Sequence, residues 1–169
     1  DATASNAQIP GAADILIGRA LVDASIILHD QPQIVADVQI ANAAYGDYIL
    51  RQGRAKMNYR GGRGTAQLVA DGSSGVPFSI AANAALRPNL YAVALKGRAS
   101  GIDFRLARPA ILRSEQAGYR LEPATLVMPQ GKVDLAGRFG NQTALQARFK
   151  DFDLAIANIA RPGLGIGGR

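Results

Sequence analysis

Apolar and polar residues alternate with a period of two along most of this chain. In the stretch that starts at Phe78, every second residue is apolar as far as Leu86, the residues between them are Ser79, Ala81, Asn83 and Ala85, and Arg87 follows. Successive side chains of a β-strand point to opposite faces, so this alternation is typical of strands with one apolar face. The same pattern recurs in residues 54–60, 65–71, 91–100, 133–139 and 145–150.

Turn-forming residues separate the alternating runs. Glycine, proline and asparagine occur at residues 61–62, 72–75, 87–89, 117–118, 131 and 140–141. This places a strand every ~10–14 residues, a spacing typical of antiparallel strands that follow one another in a meander. The sequence therefore predicts an all-β fold with antiparallel strands.

Three segments are less regular. Residues 1–12 are small and polar and are predicted to be a flexible tail or linker. Residues 15–30 contain two apolar bursts that are compatible with a strand or a helix. Residues 151–161 are compatible with one or two short helices that end before a proline, and the glycine-rich residues 162–169 are predicted to be a linker to a further segment. We therefore interpret residues 13–161 as a single β-rich segment.

The run NYRGGRG at residues 58–64 has two interpretations. Arginine–glycine boxes bind RNA, but they usually come as several repeats in disordered polar sequence. Here a single copy lies between two alternating runs, and glycine accepts the positive φ that tight hairpin turns require. We therefore predict a hairpin turn at Gly61 and Gly62, and no nucleic-acid partner.

Composition narrows the classes of function. The formal net charge is +6, which favours anionic partners, although the arginines are scattered along the chain as they would be on a solvated outer face. There is no cysteine, which excludes disulfides, zinc–thiolate sites and thiol catalysis and is compatible with an oxidising envelope compartment. No apolar run approaches the ~18 residues that a transmembrane helix needs.

Candidate catalytic residues are few. His29 is the only side chain that titrates near neutrality, and four residues of strand place Ser25 ~13 Å away from it. Asp30 follows His29 directly and would point to the opposite face. A metal site built on these two residues would lack a third ligand. The sequence therefore predicts a protein that is not an enzyme and has no cofactor.

The apolar face of the predicted sheet needs a cover, which can be a second sheet, helices or a ligand. The sequence supplies little helix. Many inward positions are alanine or glycine, which leave space, so a trough lined by residues such as Leu68, Val93 and Phe104 could hold an acyl chain. A thin, tightly packed sandwich core is an equally good interpretation of the residues alone.

Several short runs resemble the TamB-like proteins of alphaproteobacteria, which belong to the AsmA-like group of envelope proteins. These runs are NYRGGRGTA at residues 58–66, GSSGVPF at 72–78, GIDFR at 101–105, FDL at 152–154 and PGLGIGG at 162–168. The resemblance covers roughly residues 45–169 and is less clear in residues 1–44.

The resemblance implies a fold and a function. TamB-like proteins are anchored in the inner membrane, and their periplasmic part is a curled antiparallel sheet, a U-shaped "β-taco" groove with an apolar interior. They are thought to carry phospholipid toward the outer membrane and to assemble outer-membrane proteins with the barrel protein TamA. The expected partners are phospholipid, a TamA-like barrel that contacts other regions of the full-length protein, and adjacent segments of the same chain that pair at the sheet edges.

The alternation and the resemblance together predict the residues that line the groove. They are Met57, Tyr59, Leu68, Phe78, Ile80, Ala82, Leu86, Val93, Leu95, Ile102, Phe104, Leu121, Val133, Leu135, Phe139, Leu145 and Phe149. Two other functions remain open. The chain could be a chaperone or scaffold that pairs its edge strands with outer-membrane protein clients, or an adhesin-like structural repeat with a filled β-sandwich core.

Overall fold

The computed structural model describes residues 1–9, 15–28, 31–140 and 143–151, and all of its regular elements are β-strands. The predicted all-β fold with antiparallel strands is confirmed. The chain divides into two compact units, Asp1–Pro88 (unit 1) and Asn89–Arg169 (unit 2). Within the described ranges there is no helix of the length and apolar character that a membrane span requires.

Unit 1 is a meander of six long strands. They are β1 (Ala2–Ile9), β2 (Ile15–Ile27), β3 (Gln33–Tyr45), β4 (Tyr48–Arg60), β5 (Arg63–Ser74) and β6 (Val76–Arg87). Each of the strands β1 to β5 pairs antiparallel with the strand that follows it in the sequence. Short turns connect β3 to β4, β4 to β5 and β5 to β6, so the faces predicted from the alternation stay in phase across these turns.

The turn between β4 and β5 settles the interpretation of the NYRGGRG run. Arg60 pairs with Arg63, and the two residues between them, Gly61 and Gly62, have φ values of +54° and +83°. Two consecutive residues with positive φ are the requirement of a two-residue type I′ hairpin turn. The backbone N–H of Gly61 also donates to the carbonyl oxygen of Pro32 at 3.0 Å, which ties the turn to the start of β3. The predicted hairpin turn is confirmed.

Unit 2 contains six shorter strands. They are β7 (Leu90–Ala99), β8 (Ile102–Leu106), β9 (Ala110–Glu115), β10 (Gly118–Met128), β11 (Gly131–Gly140) and β12 (Ala144–Lys150). Both β8 and β9 pair with β7 on one side and with β10 on the other. These two strands are therefore two halves of one sheet position, interrupted at residues 107–109. Proline at position 109 lacks an N–H and cannot continue the ladder.

Irregular pairings bend the strands of each unit. The register shifts between Leu50 and Gln52 on β4, and between Leu121 and Ala124 on β10. The second shift contains Pro123, and bulges are among the few places in a sheet that accept proline. A bulge increases the local twist and bends its strand, so these strands curl.

The described N-terminal residues differ from the predicted organisation. The tail predicted at residues 1–12 contains the strand β1, which pairs Ala2 and Ala4 with Val22 and Ala20 of β2. Small alternating residues are sufficient for an edge strand because it packs against one neighbour only. The segment predicted as strand or helix forms β2, and the single segment predicted at 13–161 divides between the two units. The helices predicted near 151–161 lie outside the described residues beyond Asp151, as does the linker predicted at 162–169.

Candidate functional site

The predicted lining residues of unit 1 share one face of its sheet. Residues paired across antiparallel strands point to the same face. Met57 pairs with Ala66, and Leu68 pairs with Ala82. Tyr59 pairs with Gly64, which in turn pairs with Leu86. All of these residues therefore lie on one side of the sheet. The pairs Ala70–Ile80 and Gly72–Phe78 place the remaining two predicted residues on this side. We call this surface the apolar face of unit 1 and the opposite surface its polar face.

Strands β2 and β3 extend the apolar face of unit 1 beyond the predicted set. Ile34 pairs with Tyr59 on one side and with Ile26 on the other, and Val38 pairs with Val22. These residues were not among those predicted to line the groove. The alternation of IVADVQI at residues 34–40 was a sufficient signal for β3. In β2, apolar side chains point to both faces, so its sequence does not show the alternation of apolar and polar residues.

The ten predicted lining residues of unit 2 also share one face, which we call the apolar face of unit 2. The pairs that establish it are Ala99–Ile102, Gly97–Phe104, Val93–Ala110, Leu121–Leu112, Tyr119–Phe139, Ala124–Leu135, Val133–Phe149 and Gly137–Leu145. Leu95 lies between Val93 and Gly97 in the same alternation. The rings of Tyr91 and Tyr119, with centroids 6.1 Å apart, are in contact on this face as well.

Neither apolar face is packed into a core. Among the described residues only two hydrophobic side chains are buried, those of Ala124 and Val133. Leu68 on β5 is 38% exposed, and Leu145 and Phe149 on β12 are 56% and 60% exposed. A filled sandwich would bury large side chains of this kind almost completely. The described residues thus form sheets whose apolar faces remain open to a ligand.

Ion pairs cover the polar face of unit 1. Arg54 donates from Nε to Oδ1 of Asp37 at 2.9 Å, and Lys56 Nζ lies 3.5 Å from Oδ2 of the same carboxylate. The hydrogen bond from Arg54 is the main cause that lowers the pKa of Asp37, and Lys56 adds to it. Farther along the sheet, Arg51 Nε lies 3.0 Å from Oδ2 of Asp71. These pairs keep the polar face of unit 1 charged and hydrated.

The polar face of unit 2 carries the same kind of contact. Lys150 lies 2.7 Å from Asp134, whose other carboxylate oxygen accepts a hydrogen bond from Thr125 at 2.6 Å. Lys150 and Thr125, in that order, lower the pKa of Asp134. Glu115 and Glu122, the two glutamates of the chain, pair with Arg120 and Arg113. Their carboxylates therefore have structural partners on a sheet surface.

We expect the contribution of Asp37 to stability to disappear in acid. Its pKa is lower in the folded chain than in the unfolded chain, so its ion pair stabilises the fold above pH ~4 and is lost as the pH falls through the folded value. Urea unfolding between pH 7 and pH 3 should give Asp37→Asn a lower midpoint than the wild type at neutral pH. The two midpoints should converge in acid.

Asp47→Asn provides the control for Asp37→Asn, because Asp47 has no ion pair among the described residues. Its midpoint should follow that of the wild type at every pH. A difference between Asp37→Asn and the wild type that stays constant down to pH 3 would contradict the assignment of this effect to the ionised carboxylate.

A shallow cavity of 790 Å³ lies over the polar face of unit 1. Its lining runs from Thr3 on β1 to Ser79 on β6 and includes Arg19, Gln39 and Asp71. Most of these side chains are exposed. The cavity is therefore an open concavity of a bent sheet, and its lining combines polar side chains with apolar ones such as Leu21 and Val69.

The part of the chain that the structure describes offers no candidate metal site. No set of three or more histidine, aspartate or glutamate side chains there is close enough to hold a metal ion. Ser25 lies on β2, whereas His29 and Asp30 are outside the described residues, so the geometry considered for these three groups is untested. The candidate site that remains is the pair of apolar faces.

Comparison of the chain with known protein families, with curated proteins and with solved structures finds no match.

Proposed function

We propose that this chain is a non-enzymatic periplasmic segment of a TamB-like protein that is anchored in the inner membrane of a Gram-negative bacterium. In this proposal the apolar faces carry the acyl chains of phospholipids between the inner and outer membranes and support outer-membrane protein assembly. The observation that carries the proposal is that the predicted lining residues of each unit lie on one apolar surface, where all of them except the buried Val133 are at least partly exposed.

The energetics of an acyl chain suit such a surface. Each methylene group that leaves water contributes about 0.8 kcal/mol, so contact along one face gives a large total without any single strong site. Alanine at many positions of the apolar face of unit 1, such as Ala66, Ala82 and Ala84, leaves room for a chain to lie against the sheet. Many similar contacts also allow a lipid to move along the surface in small steps.

The polar faces are compatible with lipid binding on the apolar faces. A phospholipid that lies on an open sheet keeps its head group in water, so no charge has to be buried. The ion-paired arginine, lysine and carboxylate side chains on the opposite surface keep the protein hydrated. Contacts with a TamA-like barrel would involve other regions of the full-length protein, and neighbouring segments would pair at the sheet edges.

Native mass spectrometry of the purified chain, with identification of bound lipid, tests the proposal. We expect phospholipid to copurify, because an apolar surface of this extent attracts acyl chains from the membranes of the producing cell. A lipid-free monomer, obtained from the same cells and also lipid-free after incubation with phospholipid vesicles, would contradict the proposal.

A second candidate function is a β-edge chaperone or scaffold for outer-membrane protein clients. The observation that favours it is strand β1, whose outer edge is not paired by any described strand. Its sequence, ATASNAQI, has none of the lysine, glutamate or proline residues that usually protect an open edge. Protection of β1 backbone amides from hydrogen exchange by a client-derived strand peptide would support this candidate.

A further inference from the structure

Three arginines lie side by side at one end of the sheet of unit 1. Arg60 and Arg63 face each other across the β4–β5 turn. Arg87 lies opposite Arg63 on its other side, one residue beyond the last pair of β5 and β6, Gly64–Leu86. All three side chains are exposed and alternate with residues of the apolar face, so they share the polar face. We call them the arginine row.

The arginine row concentrates positive charge within a short distance. Directly opposed residues of antiparallel strands have Cβ atoms about 5 Å apart, so the row spans about 10 Å. Like charges in this arrangement repel one another and destabilise the pairing. An anion bound between them would reverse this effect.

No described carboxylate compensates the arginine row. Six other arginines do have acidic partners: Arg51, Arg54, Arg98, Arg113, Arg120 and Arg138. The residue opposite Arg60 on β3 is the neutral Gln33. Even one carboxylate from outside the described residues would leave an excess of two positive charges.

We propose that the arginine row binds the phosphate group of a phospholipid head group at a membrane surface. The planar guanidinium group presents paired N–H donors that match phosphate oxygens, and three such groups can converge on one phosphate. The adjoining turn consists of Gly61 and Gly62, which have no side chains to obstruct a bulky ligand. The choice of a phospholipid as the source of the phosphate rests on the proposed function.

A single phosphate fits this surface better than a nucleic acid does. A single-stranded nucleic acid binds along a basic groove with aromatic side chains on which its bases stack. The next row of the polar face, beyond the arginines, consists of Asn58, Thr65 and Ala85, which provide neither positive charge nor an aromatic ring. The positive charge is therefore local, and the neighbouring amide and hydroxyl groups suit a polar head group.

Vesicle flotation tests the assignment. The variant Arg60→Gln/Arg63→Gln/Arg87→Gln is compared with Arg19→Gln/Arg105→Gln/Arg108→Gln, which loses the same charge from dispersed positions without a described ion pair. At about 150 mM salt, we expect the first variant to bind phosphatidylglycerol-containing vesicles at least about ten-fold more weakly than the wild type. The second variant should remain within about three-fold of the wild type, and vesicles of phosphatidylcholine alone should bind all three proteins weakly. Equal losses in the two variants would assign binding to net charge and overturn the proposal.

Folding is checked separately. Removal of like charges should leave the urea midpoint of the arginine-row variant unchanged or raise it. If that variant unfolds, the single change Arg63→Gln is used against Arg105→Gln with the same vesicles, and equal binding of these two single variants would overturn the proposal.

Two competitors identify the source of the phosphate. Release from vesicles by millimolar inorganic phosphate would make the row a site for the free ion and overturn the lipid assignment. The second competitor is an oligouridylate RNA. If the wild type bound this RNA more tightly than it binds vesicles, and the arginine-row variant lost that RNA binding, the row would be assigned to nucleic acid instead. An absence of copurified lipid would count against the transport proposal. Unchanged vesicle binding by the arginine-row variant would count against this inference. Vesicle binding through the row without copurified lipid would support the row and count against transport.

Discussion

Leu68→Asp is expected to bind phospholipid at least about ten-fold more weakly than the wild type, whereas Val69→Asp should bind it almost normally. Leu68 lies on the apolar face of unit 1, and a carboxylate there would have to lose water wherever an acyl chain covers it. A penalty of about 1.4 kcal/mol is sufficient for a ten-fold change in affinity. Val69 is the next residue of the same strand and points to the polar face.

The two aspartate variants form a matched pair. Leu68 is 38% exposed and Val69 is 54% exposed, so each substitution adds the same charge to the same strand at a partly exposed site, and we expect both variants to fold. The fraction of lipid-bound protein, measured by native mass spectrometry at a series of phospholipid concentrations, gives the two affinities. Equal affinities would show that the lipid does not distinguish the faces of the sheet.

Gly72→Ala is expected to lower the free energy of unfolding by about 3 kcal/mol. Gly72 is buried next to the register shift of β4, and a Cβ atom there would lie 2.1 Å from the carbonyl oxygen of Ile49 and 3.0 Å from the ring of Phe78. The first of these contacts is with backbone, so strand β4 would have to move and lose part of its pairing with β5. Urea unfolding of the variant and the wild type measures the difference.

Gly53→Ala is the control for Gly72→Ala, because it makes the same change on the neighbouring strand. The nearest atom to a Cβ at this position is Cδ2 of Leu50, at 3.2 Å, and a leucine side chain can move. The expected change in unfolding free energy is below about 1 kcal/mol. Similar losses in both variants would show that the close approach to Ile49 does not determine the cost.

The alternation was sufficient to predict the strands with one apolar face. β4, β5, β6 and β7 all contain the alternating runs, but β5 continues to Ser74, so the turn predicted at residues 72–75 is reduced to Gly75. β2 was ambiguous for a physical reason, because Ile26 lies on the apolar face and Ile27 on the polar face, and they are 61% and 46% exposed. Apolar residues on both faces remove the period from the sequence.

The sequence was also sufficient to predict which face of its strand each lining residue occupies. A period of two assigns each side chain to a face whatever the pairing of its strand, so residues as distant in sequence as Met57 and Phe78 could be grouped correctly. The pairs themselves could not be predicted, because register depends on turn geometry and on shifts such as that between Leu50 and Gln52. The arginine row is a consequence of register. It was therefore missed, and the arginines were taken to be scattered.

The meander of unit 1 has a consequence for how such a protein can change its length. Each strand there pairs only with the strands that precede and follow it in the sequence. Duplication of one hairpin would widen the sheet by about 10 Å and would leave the existing connections between strands unchanged. Since a two-residue turn keeps alternate side chains in phase, the added strands would inherit both faces. Gene duplication could thus adjust the reach of the protein in steps of one hairpin.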